Sequence, residues 1–257
     1  MATQDATLYE IENGAARITL NRPENRNALS AVLVSELYDH LIAANDDAGV
    51  RSIVITGAEP AFCAGADLKS PPGEVIEGRS VSYPQVLSAI MESPKPVIAA
   101  VNGAAFAGGL GLLGAADIVI AVEDAQFSFS EVRIGVIPAV ISVVCLPKLG
   151  THHGMKLFLT GERFTGARAV EIGLAHRAVP KEQLAAAVQE EIDMINLGGP
   201  IAVLECKKLV RLVPQLTTEE GFAETEGWSS RMFRSQEGAE GMAAFREKRK
   251  PSWIPED

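Results

Sequence analysis

The chain has 257 residues, 47% hydrophobic, 22% charged and 5% aromatic, a composition that excludes a disordered, collagen-like or disulfide-stapled polypeptide. A chain of this length buries most of its unfolded surface and needs no structural staple. Thirty-three acidic against 23 basic residues give a net charge of −10, which argues against nucleic acid as a partner. Cys63, Cys145 and Cys206 are far apart and lack metal-ligand spacing, so no metal is expected and a reducing compartment, the cytoplasm, is. The N-terminus MATQDATLYE lacks the basic and apolar regions of a secretory signal. The longest apolar run, Val136 to Leu146, is broken by Pro138 and Ser142 and falls far short of the roughly 20 residues of a membrane span.

In chain order, Thr7 to Glu12 and Ala15 to Leu20 alternate about Asn13-Gly14, predicting a hairpin. Ser30 caps a predicted helix carrying Val32, Leu33, Leu37, Leu41 and Ile42 at helical spacing, which ends near Asn45-Asp46-Asp47. Short buried strands follow at 52–57, 97–101, 118–121 and around 126–129. Beyond about Ser142 the pattern becomes helical, over 143–149, 155–159, 167–172, 182–197, 201–209, 218–235 and 238–248. Gly198-Gly199-Pro200 is the clearest break in composition.

Three loops follow strands in a way that suits chemistry. The first, 21–29, is a polar turn carrying Arg22 and Arg26. The second, 57–68, packs small residues around Gly65, so a ligand can approach the main chain closely. The third, 102–111, ends a strand and opens a helix, leaving amides near Gly108 and Gly109 as free donors at a positive helix-dipole end, the anatomy of an oxyanion hole. Gly109 to Gly114 matches a dinucleotide glycine fingerprint only formally, since the crossover helix is too short. Glu131, beside apolar residues at the end of a strand, is a candidate acid/base group; an ion pair with Arg133 on the same strand face is the alternative. The four histidines form no site.

Six segments, NRPENRNALS (21–30), AFCAGADLK (61–69), PVIAAVNGAAFAGGLG (96–111), AQFSFSEVRIGVIP (125–138), LTGERFTGARAVEIGL (159–174) and EGMAAFREKRKPSW (240–253), occur in an order that resembles the crotonase superfamily, the enoyl-CoA hydratase/isomerase proteins, over essentially the whole chain. The resemblance implies an α/β fold: a ββα-spiral acyl-CoA-binding core (1–198) and a helical C-terminal segment (199–257) that builds trimers, often paired into hexamers. It implies an acyl-CoA thioester ligand and no separate cofactor, because CoA enters with the substrate. The thioester oxygen would be held by the amides of Ala66 and Gly108. Asn25, Arg26, Ala64, Asp67 and Leu68 would wrap the pantetheine and adenine, and Lys248, with Phe245, would reach CoA from a neighbouring subunit.

Hydratases of this family use two glutamates to activate one water. The second matches Glu131; the first falls on Gly111, which has no side chain to move a proton. The resemblance therefore implies a hydratase-like lyase working through an oxyanion hole and a single glutamate. An isomerase or other enolate-forming enzyme, and an acyl-CoA-binding homologue with weakened catalysis, are the alternatives. Glu74 or Glu77 could supply the missing carboxylate, and if that absence limits hydration, glutamate at position 111 should raise the rate.

Overall fold

The structure, a computed structural model, describes residues 5–70, 74–75 and 78–254. Strands β1 (Thr7–Glu12) and β2 (Ala15–Leu20) form the predicted antiparallel hairpin, with Asn13 and Gly14 at φ 51° and 73°, the positive values that a type I′ turn demands. Ser30 caps α1 (Ala31–Asp46) by accepting from the Leu33 amide.

The chain then repeats one unit three times. It runs through β3 (Ser52–Gly57), β4 (Ala61–Cys63) and α2 (Tyr83–Glu92), then β5 (Val97–Val101), β6 (Ala104–Phe106) and α3 (Gly108–Ala115). The third unit is β7 (Ile118–Val122), β8 (Gln126–Ser128) and α4 (Ala139–Thr160). With β9 (Phe164–Thr165) and β10 (Arg177–Val179) further on, the first strand of each unit joins a six-stranded sheet ordered β1-β2-β3-β5-β7-β10, and the second joins a four-stranded sheet ordered β4-β6-β8-β9. Parallel pairs Ile53↔Val97 and Ile98↔Ile118 step the first sheet, while Ala61↔Ala104 and Ala105↔Phe127 step the second. This is a ββα spiral. Its strands are buried on both faces, hence the continuous apolar runs of β3, β5 and β7.

The remaining elements are β9 (Phe164–Thr165), α5 (Gly166–Glu171), β10 (Arg177–Val179), α6 (Leu184–Leu197), α7 (Pro200–Leu212), α8 (Thr218–Phe233) and α9 (Gln236–Glu247). Gly198 closes α6 and Pro200 opens α7, so the break in composition is a break between helices. Two half-buried contacts fasten α7 to the spiral: Lys207 and Arg211 reach Asp117 at 2.6 and 3.0 Å. The Glu237 carboxylate on α9 accepts from the Ile201 and Ala202 amides at the start of α7.

Three readings need correction. The second and third loops contain β4 and β6, three-residue strands that exist only because the spiral brings each beside the next. Residues 83–92 form a helix, α2, for which no expectation was drawn, although Ser82 and Gln85 make a capping box. Glu131 is not on a strand: β8 stops at Ser128, the partner of the last β6 residue, Phe106, and the chain curls into a 3-10 turn over Ser130–Ile134 that closes on left-handed Gly135.

Candidate active site

The first two loops are laced together by backbone bonds. The Ala64 amide donates to the Arg26 carbonyl at 3.0 Å, the Leu29 amide to Gly65 at 2.7 Å, and the Asp67 amide back to Leu29 at 3.1 Å. Asn27, fully buried, donates its side-chain amide to the carbonyls of Ala58 and Ala61. Asn25 reaches the Asp67 carboxylate at 3.2 Å. Asn25, Arg26, Ala64, Asp67 and Leu68 thereby lie along one edge, with Leu68 80% exposed.

The Leu29 bridge uses the Gly65 carbonyl and the Asp67 amide and skips the residue between them. The Ala66 N–H donates to no acceptor among the described residues. The same holds for the N–H of Gly108, first residue of α3. The two loops meet here: a β-carbon built on Gly108 would lie 3.7 Å from the Ala66 nitrogen. Gly65, at φ 95°, permits the approach, since any β-carbon on it would come within 2.9 Å of the Phe106 carbonyl. Ala107, just before α3, has φ 48° and ψ −120°, a conformation that costs a residue with a β-carbon.

Both amides open on a cleft of about 480 Å³ whose walls include Ala64, Leu68, Tyr83, Glu131, Arg133 and Ile141. The rim is apolar: Ile134, Val136 and Ile137 are all more than half exposed. Glu131 Oε2 is buried without a hydrogen-bond partner among the described residues. Burial pushes its carboxyl above the usual carboxylate range, and hydrogen bonding to its own backbone opposes this only in part. Arg133 is not its partner; its Nε donates to the Gly161 carbonyl at 3.0 Å. A carboxyl raised in this way returns a proton less reluctantly than water does and accepts one more readily than an ordinary carboxylate.

Gly111 is filled from outside. A β-carbon there would fall 2.6 Å from Ile141 Cγ2 and 2.7 Å from the Tyr83 hydroxyl. Glu74 is exposed, bonded to Ser70 at 2.9 Å and not on the cleft wall; Glu77 lies outside the described residues. Phe245 and Lys248 stand elsewhere. Phe245, 86% exposed, lines a separate hollow with Met242 and Arg246, and Lys248 terminates α9 in a left-handed conformation. Tyr83 and Ile141 carried no signal of a role in the sequence, as their contacts come from distant turns of the spiral.

No helix among the described residues is long and apolar enough to cross a membrane, and none of their His, Cys, Asp and Glu side chains gather in a group of three or more suited to a metal.

The fold and this double-amide cleft define an α/β protein of the crotonase type. The family model for enoyl-CoA hydratase/isomerase matches residues 10–256, and the chain belongs to that family, the crotonases. A Dictyostelium discoideum protein named "Probable enoyl-CoA hydratase, mitochondrial" is 37% identical, across 92% of this chain and 86% of its own. The carnitinyl-CoA dehydratase of Proteus mirabilis (strain HI4320) is 34% identical over 92% of this chain and 93% of that one. Among solved structures, the enoyl-CoA hydratase of Bacillus anthracis superposes with a TM-score of 0.88 at 32% identity, covering 98% of this chain and 100% of that one.

Proposed function

We propose that the protein adds water to, or removes it from, the Cα–Cβ bond of an acyl-CoA thioester, using the Ala66 and Gly108 amides as an oxyanion hole and Glu131 as the acid/base group. The observation that carries this reading is the buried, unpartnered Glu131 Oε2 in the same cleft as the two free amides. In the hydration direction, ionised Glu131 takes a proton from water as the oxygen bonds to Cβ. The π electrons pass to the thioester oxygen, where the two N–H groups hold the enolate. Glu131 then returns the proton to Cα, so one water is added and the carboxylate is restored. Names of relatives that hydrate or dehydrate CoA esters support this class.

The filled space at Gly111 favours a second reading, in which Glu131 alone carries one proton between carbons and the double bond moves without water. Matched 2-enoyl-CoA and 3-enoyl-CoA substrates in water enriched in heavy oxygen separate the two. Label in the acyl chain establishes hydration, unlabelled isomer establishes isomerisation, and no product from straight or branched chains overturns both. CoA would lie along Asn25, Arg26, Ala64, Asp67 and Leu68. The exposed apolar side chains of Phe222, Phe233 and Phe245 suit residues 199–257 to the contact face of a homotrimer or a dimer of trimers, where a neighbouring copy brings Phe245 and Lys248 to CoA. The cytoplasm remains the compartment we assign.

A further inference from the structure

Building on the oxyanion-hole reading of the cleft, we propose that Tyr83 is a positioning residue: its hydroxyl, wedged into the first turn of α3 opposite Gly111, holds the Gly108 carbonyl and so the α-carbon whose own N–H would polarise the thioester. The hydroxyl donates to the Gly108 carbonyl oxygen, and the Leu112 amide, four residues along the helix, also bears on the phenol oxygen. The carbonyl and amide of Gly108 flank one α-carbon. Glycine is the residue least able to hold its own backbone angles, and the bond from Tyr83 removes that freedom where the donor must be aimed.

Three elements close on this point. Tyr83 opens α2, Gly111 lies in α3 and Ile141 comes from α4, with Tyr83 8% and Ile141 3% exposed. Glycine at 111 is the condition for the hydroxyl to enter, because a β-carbon would lie 2.7 Å from it. The absent glutamate and the inserted phenol are thus one arrangement. Burial, with the Cys63 and Cys145 thiols and Glu131 adding to it, holds the phenol well above its usual range. Tyr83 therefore remains a proton donor and supplies no base in place of the missing carboxylate. The expectation that glutamate at 111 speeds hydration is reversed: Gly111→Glu must eject the hydroxyl from Gly108 and lowers turnover.

The test uses cinnamoyl-CoA, whose absorption moves to longer wavelength when its thioester carbonyl is polarised, together with turnover of the enoyl-CoA that gives product in the labelling experiment. Tyr83→Phe keeps the ring and removes one oxygen. It should bind cinnamoyl-CoA within about threefold of the unaltered protein, lose most of the spectral shift, and lose about tenfold in kcat with KM little changed. Gly111→Ala, whose β-carbon would press on Ile141 Cγ2 as well as on the hydroxyl, should lose the shift and at least as much kcat; if Tyr83→Phe does not fold, Tyr83→Met carries the same readouts. A Tyr83→Phe protein with both shift and kcat intact overturns the proposal, as does faster turnover by Gly111→Glu. If the unaltered protein neither shifts the band nor turns over any enoyl-CoA, the oxyanion-hole reading fails first, a result distinct from failure of Tyr83 alone.

Discussion

Asn25 and Asp67, 42 residues apart, meet at 3.2 Å and join the first loop to the second by their side chains. The other Asp67 oxygen accepts from the Lys69 amide at 2.9 Å, so one carboxylate shapes both sides of the edge proposed for CoA. Asp67→Ala should raise KM for the acyl-CoA about tenfold and leave kcat nearly unchanged, the pattern of lost uniform binding. Because Asp67 is only half-buried, its unfolding free energy should shift by no more than about 1 kcal/mol, measured by urea titration.

Glu131→Gln should cut turnover by at least about a hundredfold, the usual scale of a lost acid/base group. Since burial raises the Glu131 carboxyl in the folded protein, its ionised form weakens folding at any pH above the unfolded value, and that burden lifts as pH falls. Glu131→Gln should therefore melt higher than the unaltered protein at pH 7, with the difference shrinking toward pH 4. In the active protein, the acid limb of kcat/KM should lie above the ordinary carboxylate range. A limb at or below it would remove Glu131 as the base.

Ala107→Gly tests the strained turn before α3. The native φ of 48° with ψ of −120° is open to glycine without a steric penalty, so the substitution should stabilise the fold by about 1 kcal/mol net of the extra chain entropy of the unfolded state. Thermal melting at fixed pH measures it, and a drop in midpoint would contradict the reading.

Lys148 holds the other end of α3, its ammonium donating to the carbonyls of Leu113 at 2.9 Å and Ala116 at 2.7 Å. Burial depresses it to about 8, against roughly 10.4 for a free lysine. The unfolded chain binds the extra proton between these values, so this group makes stability rise with pH across that window. Urea midpoints taken from pH 7 to 10 should rise in the unaltered protein relative to Lys148→Met. Parallel curves would show that Lys148 is not depressed.

Much of the spiral is legible because its longer strands are bounded by turn chemistry: the Asn13-Gly14 hairpin and the apolar runs 52–57, 97–101 and 118–121 are strands in the structure, the last extended by Val122. What pattern misses is created by distance. β4 and β6, three residues each, are strands only by virtue of each other, as Ala61 pairs with Ala104 across the chain. Glu131 is legible by residue type, yet its placement on a 3-10 turn depends on where β6, the partner of Ser128, ends. Tyr83 could not be found at all, because a tyrosine opening a helix gains meaning only when Gly108, 25 residues later, arrives beneath its hydroxyl. Phe245 and Lys248 lie apart from the cleft of their own chain, so their proposed part depends on a second copy.

The Asp117 carboxylate takes a further bond from the Val97 amide at 2.8 Å, so it ties β5 to the start of β7 while Lys207, its side chain 9% exposed, binds it from α7. Removing residues 199–257 would strip both cations from a largely sheltered acid at the entry to β7 of the large sheet. The glycine-rich joint after α6 thus divides the chain in composition while its charges span the division, and the last helices supply cations to an acid of the spiral.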